Sequence, residues 1–187
     1  MAFHGQAQTG EQKFLENLQQ NRLAHPGMEH FMKGVSNSNA YISLSVPVVL
    51  FAIGSLNHEK EMQKKSIVIL ETIGVSTVLE LSLKKIVNRP RPSASDPNII
   101  PDSDQGSGSF PSGHASQAFA TATALSIAYP KWYVIAPSML WATTVSFSRM
   151  YLGVHYPTDV LAGAVVGAGS AWLTLRINHW LFDKKKQ

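Results

Sequence analysis

One long stretch without charged residues limits how this chain can fold. Between Lys33 and Glu59 no side chain is charged, and residues 41–56 are dense in aliphatic side chains. This segment is the best candidate in the chain for a membrane-spanning helix. Inside a bilayer every backbone polar group needs a partner in the protein, so only helices and closed barrels can cross it. Since no alternating strand pattern of useful length appears, we predict a helix.

The rest of the chain also shows helical periodicity, interrupted by polar or proline-containing connections. We therefore predict an all-α fold, a helical bundle of about five long helices plus an N-terminal amphipathic helix, embedded in a membrane. The predicted helices cover residues 11–23, 41–56, 66–87, 113–129, 132–148 and 157–182. Up-and-down connections would place residues 87, 113, 148 and 157 at one end of the bundle.

The length of 187 residues is that of one domain, and we assign it to residues 11–187. Residues 1–10 are polar and lack an apolar run, so we predict a disordered start there. The amphipathic helix at 11–23 fits two locations, either on a membrane surface or packed against the main body.

Composition excludes several classes of site. The chain has no cysteine, so disulfides and thiolate metal sites are absent. Its net charge of +4 is modest and its basic residues are scattered, so we predict no nucleic-acid partner. Charged residues make up only 15% of the chain, which is low for a soluble domain.

The first basic motif lies where the third long helix is predicted to end. Lys84 and Arg91 are seven residues apart, and Pro90 and Pro92 stop the helix and direct its exit. The two cations could bind one anion, with arginine suited to the planar geometry of a phosphate. The alternative is a basic cap that interacts favourably with the helix dipole.

The second motif precedes the helix that begins near residue 113. Ser112 is a suitable N-cap, and Gly113 allows an anion to approach the free N–H groups of the first turn. His114 could donate a proton to a leaving oxygen. In the alternative interpretation, Ser112 only caps the helix and His114 is a surface residue.

The third motif joins the last two predicted helices. Pro157 suits the first helical position, so His155 lies just before the helix and Asp159 in its first turn. Asp159 could hold one imidazole nitrogen while the other attacks phosphorus, and Arg149 could bind phosphoryl oxygens. Alternatively, Asp159 only compensates the helix dipole.

Together the three motifs resemble the signature of the type 2 phosphatidic acid phosphatase superfamily. That group contains membrane lipid phosphatases, soluble bacterial acid phosphatases and vanadium haloperoxidases. The matching residues are Lys84, Arg91, Pro92, Pro111, Ser112, Gly113, His114, Ser148, Arg149, His155 and Asp159. Arg89 also precedes a proline, but Ser82 and not lysine stands seven residues before it, so it lies outside the motif.

The resemblance implies a phosphatase that works through a phosphohistidine and needs no metal and no cofactor. It implies His155 as nucleophile, Asp159 as its orienting carboxylate and His114 as general acid. The phosphate-binding residues would be Lys84, Arg91, Ser112, Gly113 and Arg149.

The expected substrate is a phosphorylated membrane lipid, namely a polyprenyl diphosphate, phosphatidylglycerol phosphate, phosphatidate or lipid A. The connections opposite the site carry Lys60, Lys64, Lys65, Lys131 and the lysines at 184–186. Positive loops favour the cytoplasm, so the site is expected to face outward. In a bacterium this means an inner-membrane protein whose active site faces the periplasm.

Three other interpretations remain open from the sequence. The predicted spans after residue 112 are short and the third helix contains Glu71 and Glu80, which also fits a soluble acid phosphatase of the same superfamily. The same features fit a solubilised variant of a membrane protein. A non-catalytic helical membrane scaffold is the remaining alternative, although it would not need both histidines and all three cations.

Overall fold

The computed structural model describes residues 2–102, 106 and 108–183, with the side chains of 2–9 and 181–183 excepted. These residues form six long helices and one short turn of helix. The elements are α1 (Ala2–Ala24), α2 (Pro26–Leu56), α3 (Lys60–Val87), α4 (Pro92–Ser95), α5 (Gly113–Ala128), α6 (Trp132–Tyr151) and α7 (Pro157–Asp183). The predicted all-α bundle is confirmed. The lysines at 184–186 lie outside the described residues.

The N-terminal region differs from its prediction. Helix α1 already begins at Ala2, where the sequence predicted a disordered start for residues 1–10. Alanine and glutamine are frequent in residues 2–9 and favour helix, and no proline occurs before Pro26. Of the two locations predicted for the amphipathic helix, packing on the main body is observed, because Leu15 is buried against Ile99 and Tyr156.

Helix α5 lies at the centre of the bundle and contacts α2, α3, α6 and α7. Its buried face consists mainly of alanines, which are Ala115, Ala118, Ala120, Ala122 and Ala124. Small side chains allow neighbouring helices to approach closely. Helix α7 approaches α5 closely, because a Cβ at Gly163 would lie 2.6 Å from the Ser112 carbonyl oxygen and a Cβ at Gly167 would clash with the Ser116 carbonyl oxygen.

The outer surface of the bundle is apolar along much of its length. Large aliphatic side chains point outward, among them Val48 at 61% exposure, Leu161 at 66% and Val165 at 72%. Soluble monomers rarely expose contiguous apolar surface of this kind. Three helical segments in the described part of the chain are long and apolar enough to cross a membrane, which are Pro26–Leu56, Lys60–Ser95 and Pro157–Trp180.

The two glutamates in the apolar part of α3, Glu71 and Glu80, have partners in the bundle. Glu80 is buried and lies 2.5 Å from Lys84 Nζ, one helical turn away. Glu71 is exposed, and its carboxylate accepts a hydrogen bond of 2.7 Å from Asn178 of α7. Pairing of this kind reduces the cost of a carboxylate in an apolar helix.

The alternation of helix directions brings four helix ends together. The C-terminal ends of α3 and α6 meet the N-terminal ends of α5 and α7, as the up-and-down arrangement predicts. The connection from Asn88 to Pro111 covers this end and includes α4. The three sequence motifs therefore lie on adjoining segments.

Candidate active site

The first motif begins in the last turn of α3. Asn88 ends this helix in the left-handed conformation, with φ of 43°, and its N–H donates to the Lys84 carbonyl oxygen. Lys84 forms an ion pair with buried Glu80. Asparagine is one of the few residues other than glycine that adopt this conformation readily. The chain thus leaves α3 sharply and directs the following arginines back across the end of the bundle.

Arg91 lies against the loop between α6 and α7. Its Nη1 donates to the Val154 carbonyl oxygen at 3.0 Å and lies 3.5 Å from Nε2 of His155. The backbone contact fixes the guanidinium beside the imidazole. Pro92 is buried and begins α4, which holds the exit direction of the chain.

The second motif approaches the third through the backbone. The Ser112 N–H donates to the Asp159 carbonyl oxygen at 2.9 Å, which joins the start of α5 to the first turn of α7. Ser112 occupies the N-cap position, but its hydroxyl forms no capping hydrogen bond. Within the described residues this buried hydroxyl has no hydrogen-bond partner, so it is available to a ligand.

His155 and Asp159 form the centre of the third motif. The His155 imidazole is 2% exposed and the Asp159 carboxylate is fully buried. The Nδ1 atom of His155 lies 3.6 Å from Oδ2 of Asp159, slightly beyond hydrogen-bond distance. The same Oδ2 accepts the Tyr156 N–H at 2.9 Å. The carboxylate thus faces Nδ1 and leaves Nε2 on the side of Arg91.

Arg149 reaches the site from the last turn of α6. Its Nη1 donates to the Ser36 hydroxyl of α2 at 2.5 Å, a contact that the sequence did not predict. Its Nε is buried and lacks a hydrogen-bond partner in the part of the chain that the structure describes. A buried guanidinium with an open donor is suited to binding an anion.

Burial and positive charge both act on the two histidines, which lie outside the three apolar segments. Burial, followed by the nearby Arg149, lowers the pKa of His114 to about 3. Burial lowers the pKa of His155 to about 4, although the neighbouring Asp159 carboxylate acts in the opposite direction. Both imidazoles are therefore neutral at pH 7 in the ligand-free protein.

The site as a whole is cationic and suited to an anion. Lys84, Arg91 and Arg149 all lower the pKa of His114 electrostatically, so the three cations lie near this imidazole. Across the described ranges, no group of three or more His, Asp or Glu side chains is arranged as a metal site.

Arg89 does not belong to the first motif, yet this residue contacts the centre of the site. Its Nη1 lies 2.8 Å from Oδ1 of Asp159, and its Nη2 lies 2.7 Å from Oε2 of Glu11. Arg89 fell outside the motif spacing, and Glu11 is far away in sequence. The only signal was the repeated Arg-Pro pair at 89–92.

Comparison with known proteins supports the same family. A family model described as the PAP2 superfamily matches residues 65–183. The lipid A 4'-phosphatase of Bacteroides thetaiotaomicron is 28% identical over 86% of this chain and 74% of its own length. The decaprenylphosphoryl-5-phosphoribose phosphatase of Mycobacterium tuberculosis is 31% identical over 87% of each chain.

A solved structure extends the similarity to the whole fold. The transmembrane PAP2 type phosphatidylglycerolphosphate phosphatase from Bacillus subtilis superposes with a TM-score of 0.77 and 26% identity. The match covers 97% of this chain and 88% of that chain. Together with the three apolar helices and the matched family model, it shows that this chain is an integral membrane protein of the PAP2 superfamily.

Proposed function

We propose that this protein removes a phosphate group from a phosphorylated membrane lipid, with His155 as the attacking group. The observation that carries the proposal is the environment of its imidazole. Asp159 lies 3.6 Å from Nδ1, and Arg91 lies 3.5 Å from Nε2. One nitrogen thus faces an orienting carboxylate while the other faces a cation that can hold a phosphate.

In the proposed reaction, Nε2 of His155 attacks phosphorus and forms a bond to it. The bond from phosphorus to the lipid oxygen breaks, and that oxygen takes its proton from His114. Lys84, Arg91, Arg149, the Ser112 hydroxyl and the Gly113 N–H bind the phosphoryl oxygens as charge develops. Water then attacks the phosphohistidine and gives a proton to His114, so that the bond from Nε2 to phosphorus breaks, phosphate is released, His155 becomes neutral again and His114 regains the proton it lost.

His114 must carry a proton in order to act as the acid, although its pKa in the empty site is about 3. A bound phosphate would neutralise the cations that contribute to this low value. Binding therefore raises the pKa of His114 and lets it take up a proton from solvent or from a monoanionic substrate.

The chemical class of substrate is inferred from the protein surface and from the relatives. The names of the relatives specify lipid A, decaprenylphosphoryl phosphoribose and phosphatidylglycerol phosphate, all of which carry a phosphate on a lipid. The apolar outer surface of this bundle favours the same location in a bilayer. It argues against the soluble acid phosphatase that the sequence left open.

The test is phosphate release from a panel of phosphorylated lipids by purified protein in detergent, with and without a chelator. We expect His155→Ala to lose at least 1,000-fold in kcat, as removal of an attacking group does in other covalent enzymes. His30→Ala changes an exposed histidine on α2 and is the matched control. Full activity of His155→Ala, or loss of wild-type activity with chelator, would overturn the mechanism.

A further inference from the structure

We propose that Glu11 and Arg89 position the catalytic carboxylate of Asp159. The N-terminal helix α1 thus contributes a positioning residue, Glu11, to the active site. The inference rests on the proposed function, in which Asp159 orients His155. Neither residue belongs to the three sequence motifs. Both are candidates for positioning residues because they act on the imidazole through Asp159.

The contacts form a continuous chain from α1 to the imidazole. Oε2 of Glu11 lies 2.7 Å from Nη2 of Arg89, and Nη1 of Arg89 lies 2.8 Å from Oδ1 of Asp159. Oδ2 of Asp159 then lies 3.6 Å from Nδ1 of His155. All these groups are largely or completely buried, where charged contacts are screened little by solvent.

Arg89 fixes the orientation of the carboxylate. Asp159 can turn about its Cβ–Cγ bond unless both oxygens are held. Arg89 holds Oδ1, and the Tyr156 N–H holds Oδ2 at 2.9 Å. Because hydrogen bonds hold both oxygens, Oδ2 stays directed at Nδ1 of His155.

Glu11 holds the guanidinium and the start of α7 together. Its Oε1 accepts hydrogen bonds from the Thr158 N–H at 3.0 Å and from the Thr158 hydroxyl at 2.7 Å. Thr158 lies in the first turn of α7, where a carboxylate is stabilised by the helix dipole and by free N–H groups. One carboxylate of α1 thus contacts both Arg89 and the first turn of α7, the turn that carries Asp159.

Arg89 and α1 are themselves held in place by packing. The Arg89 guanidinium lies 4.0 Å from the centre of the Tyr156 ring. The same ring packs with Leu15 of α1 and with Ile99 in a buried apolar cluster. Further along α1, Nη2 of Arg22 donates to the Ile100 carbonyl oxygen at 2.8 Å. Glu11 therefore sits on a docked helix.

The two-armed contact is one that arginine can make at position 89 and lysine cannot. Its planar guanidinium donates to Asp159 and Thr158 from one nitrogen and to Glu11 from the other. A lysine has one point charge and cannot reproduce this geometry. We expect Arg89→Lys to retain part of the activity that Arg89→Gln loses.

The experiment compares kcat and KM of Arg89→Gln, Arg89→Lys, Glu11→Gln and the double variant Glu11→Gln/Arg89→Gln. We expect Arg89→Gln to lower kcat roughly 10- to 100-fold, the cost of one charged hydrogen bond or slightly more. KM should stay within about twofold, because the phosphate-binding groups are untouched. Glu61→Gln and Arg176→Gln, both exposed and at the other end of the bundle, are the matched controls.

The double variant and thermal unfolding separate positioning from simple stabilisation. If Glu11 acts on Asp159 only through Arg89, Glu11→Gln has little further effect on kcat once Arg89 is changed. Unchanged kcat in Arg89→Gln, with His155→Ala inactive, would overturn this inference and leave the proposed function intact. A rise in KM without a fall in kcat, or a kcat loss explained by a fraction of unfolded protein, would also overturn it. Activity in His155→Ala would instead overturn the proposed function.

Discussion

The protonation of His114 is predicted to depend on whether the site holds an anion. In the empty protein, burial and then Arg149 lower its pKa to about 3. Inorganic phosphate would offset the positive charge of Lys84, Arg91 and Arg149. An anion beside an imidazole favours the charged form, so the pKa of His114 should rise when phosphate binds.

Histidine NMR titration of detergent-solubilised protein measures this effect. The His114 resonance should titrate well below pH 5 without phosphate and at higher pH with saturating phosphate, by one unit or more. His114→Ala identifies the resonance. A His114 resonance that titrates identically with and without phosphate would contradict the proposed role of the three cations.

The second prediction for a single residue is the pH at which His155 becomes protonated and can no longer attack phosphorus. Burial lowers the pKa of His155 to about 4, so its imidazole stays neutral through pH 5 and 6. The fraction able to attack phosphorus falls only as the pH drops toward 4. Because kcat/KM reports ionisations of the free enzyme, the group that must be unprotonated should give an acid limb of kcat/KM below pH 5. An acid limb near 6.5 would contradict this prediction, because the pKa of an ordinary solvent-exposed histidine is about 6.5.

That the motif residues lie at one end of the bundle could be predicted from the sequence, whereas the residues that contact and support them could not. Lys84, Arg91 and His155 are recognisable because their residue types recur at fixed spacing. Arg89 lies outside that spacing, and its contact with Glu11 joins positions 78 residues apart. Such a contact depends on how α1 docks on the bundle, and no local pattern in the sequence encodes it.

At the scale of helices, the contact between α5 and α7 leads to a third prediction. A Cβ at Gly163 would lie 2.6 Å from the Ser112 carbonyl oxygen and 2.9 Å from the Ala115 Cβ. Backbone cannot yield as a flexible side chain can, so Gly163→Ala must push the two helices apart. Overpacking of this kind costs about 1–3 kcal/mol. It also displaces the bond between the Ser112 N–H and the Asp159 carbonyl oxygen.

Gly169→Ala is the matched control on the same helix, because its Cβ would meet nothing within 4 Å. We expect Gly163→Ala to lower the unfolding temperature and kcat together. Gly169→Ala should be neutral or stabilise the protein by up to about 1 kcal/mol, since alanine is the better helix former. Equal unfolding temperatures for the two variants would contradict the close packing of α5 on α7.

Helix existence was easier to predict than helix boundaries. Prolines mark helix boundaries at Pro130 and Pro157. The end of α5 and the starts of α6 and α7 were predicted within one residue, whereas α6 ends at Tyr151 and not at residue 148. The start of α3 was missed because the charged residues 59–65 resemble a solvated loop. They form an exposed helical turn instead, in which Lys64 and Glu61 lie 2.8 Å apart.

At the scale of the whole molecule, the apolar outer surface predicts that a charged residue placed on it makes insertion and folding in the bilayer less favourable. Val165 is 72% exposed in the body of α7. An aspartate in a membrane-spanning helix costs about 2.5–3.5 kcal/mol at its centre. Val165→Asp should therefore reduce the amount of protein recovered folded in membranes, while Val165→Leu should not. Equal recovery of both variants would argue that α7 does not face lipid.

The orientation of the molecule gives the last prediction. The described lysines at 60, 64, 65 and 131 lie at the end opposite the site, and positive loops favour the cytoplasm. The chain contains no cysteine, so Ile100→Cys and Lys131→Cys each introduce a unique thiol. Ile100 is 56% exposed and lies against the loop at Gly153, at the end of the bundle that holds the site, and Lys131 lies at the other end. If the site faces outward, a membrane-impermeant maleimide should label Ile100→Cys in intact cells but label Lys131→Cys only after lysis. The reverse labelling would place the active site in the cytoplasm.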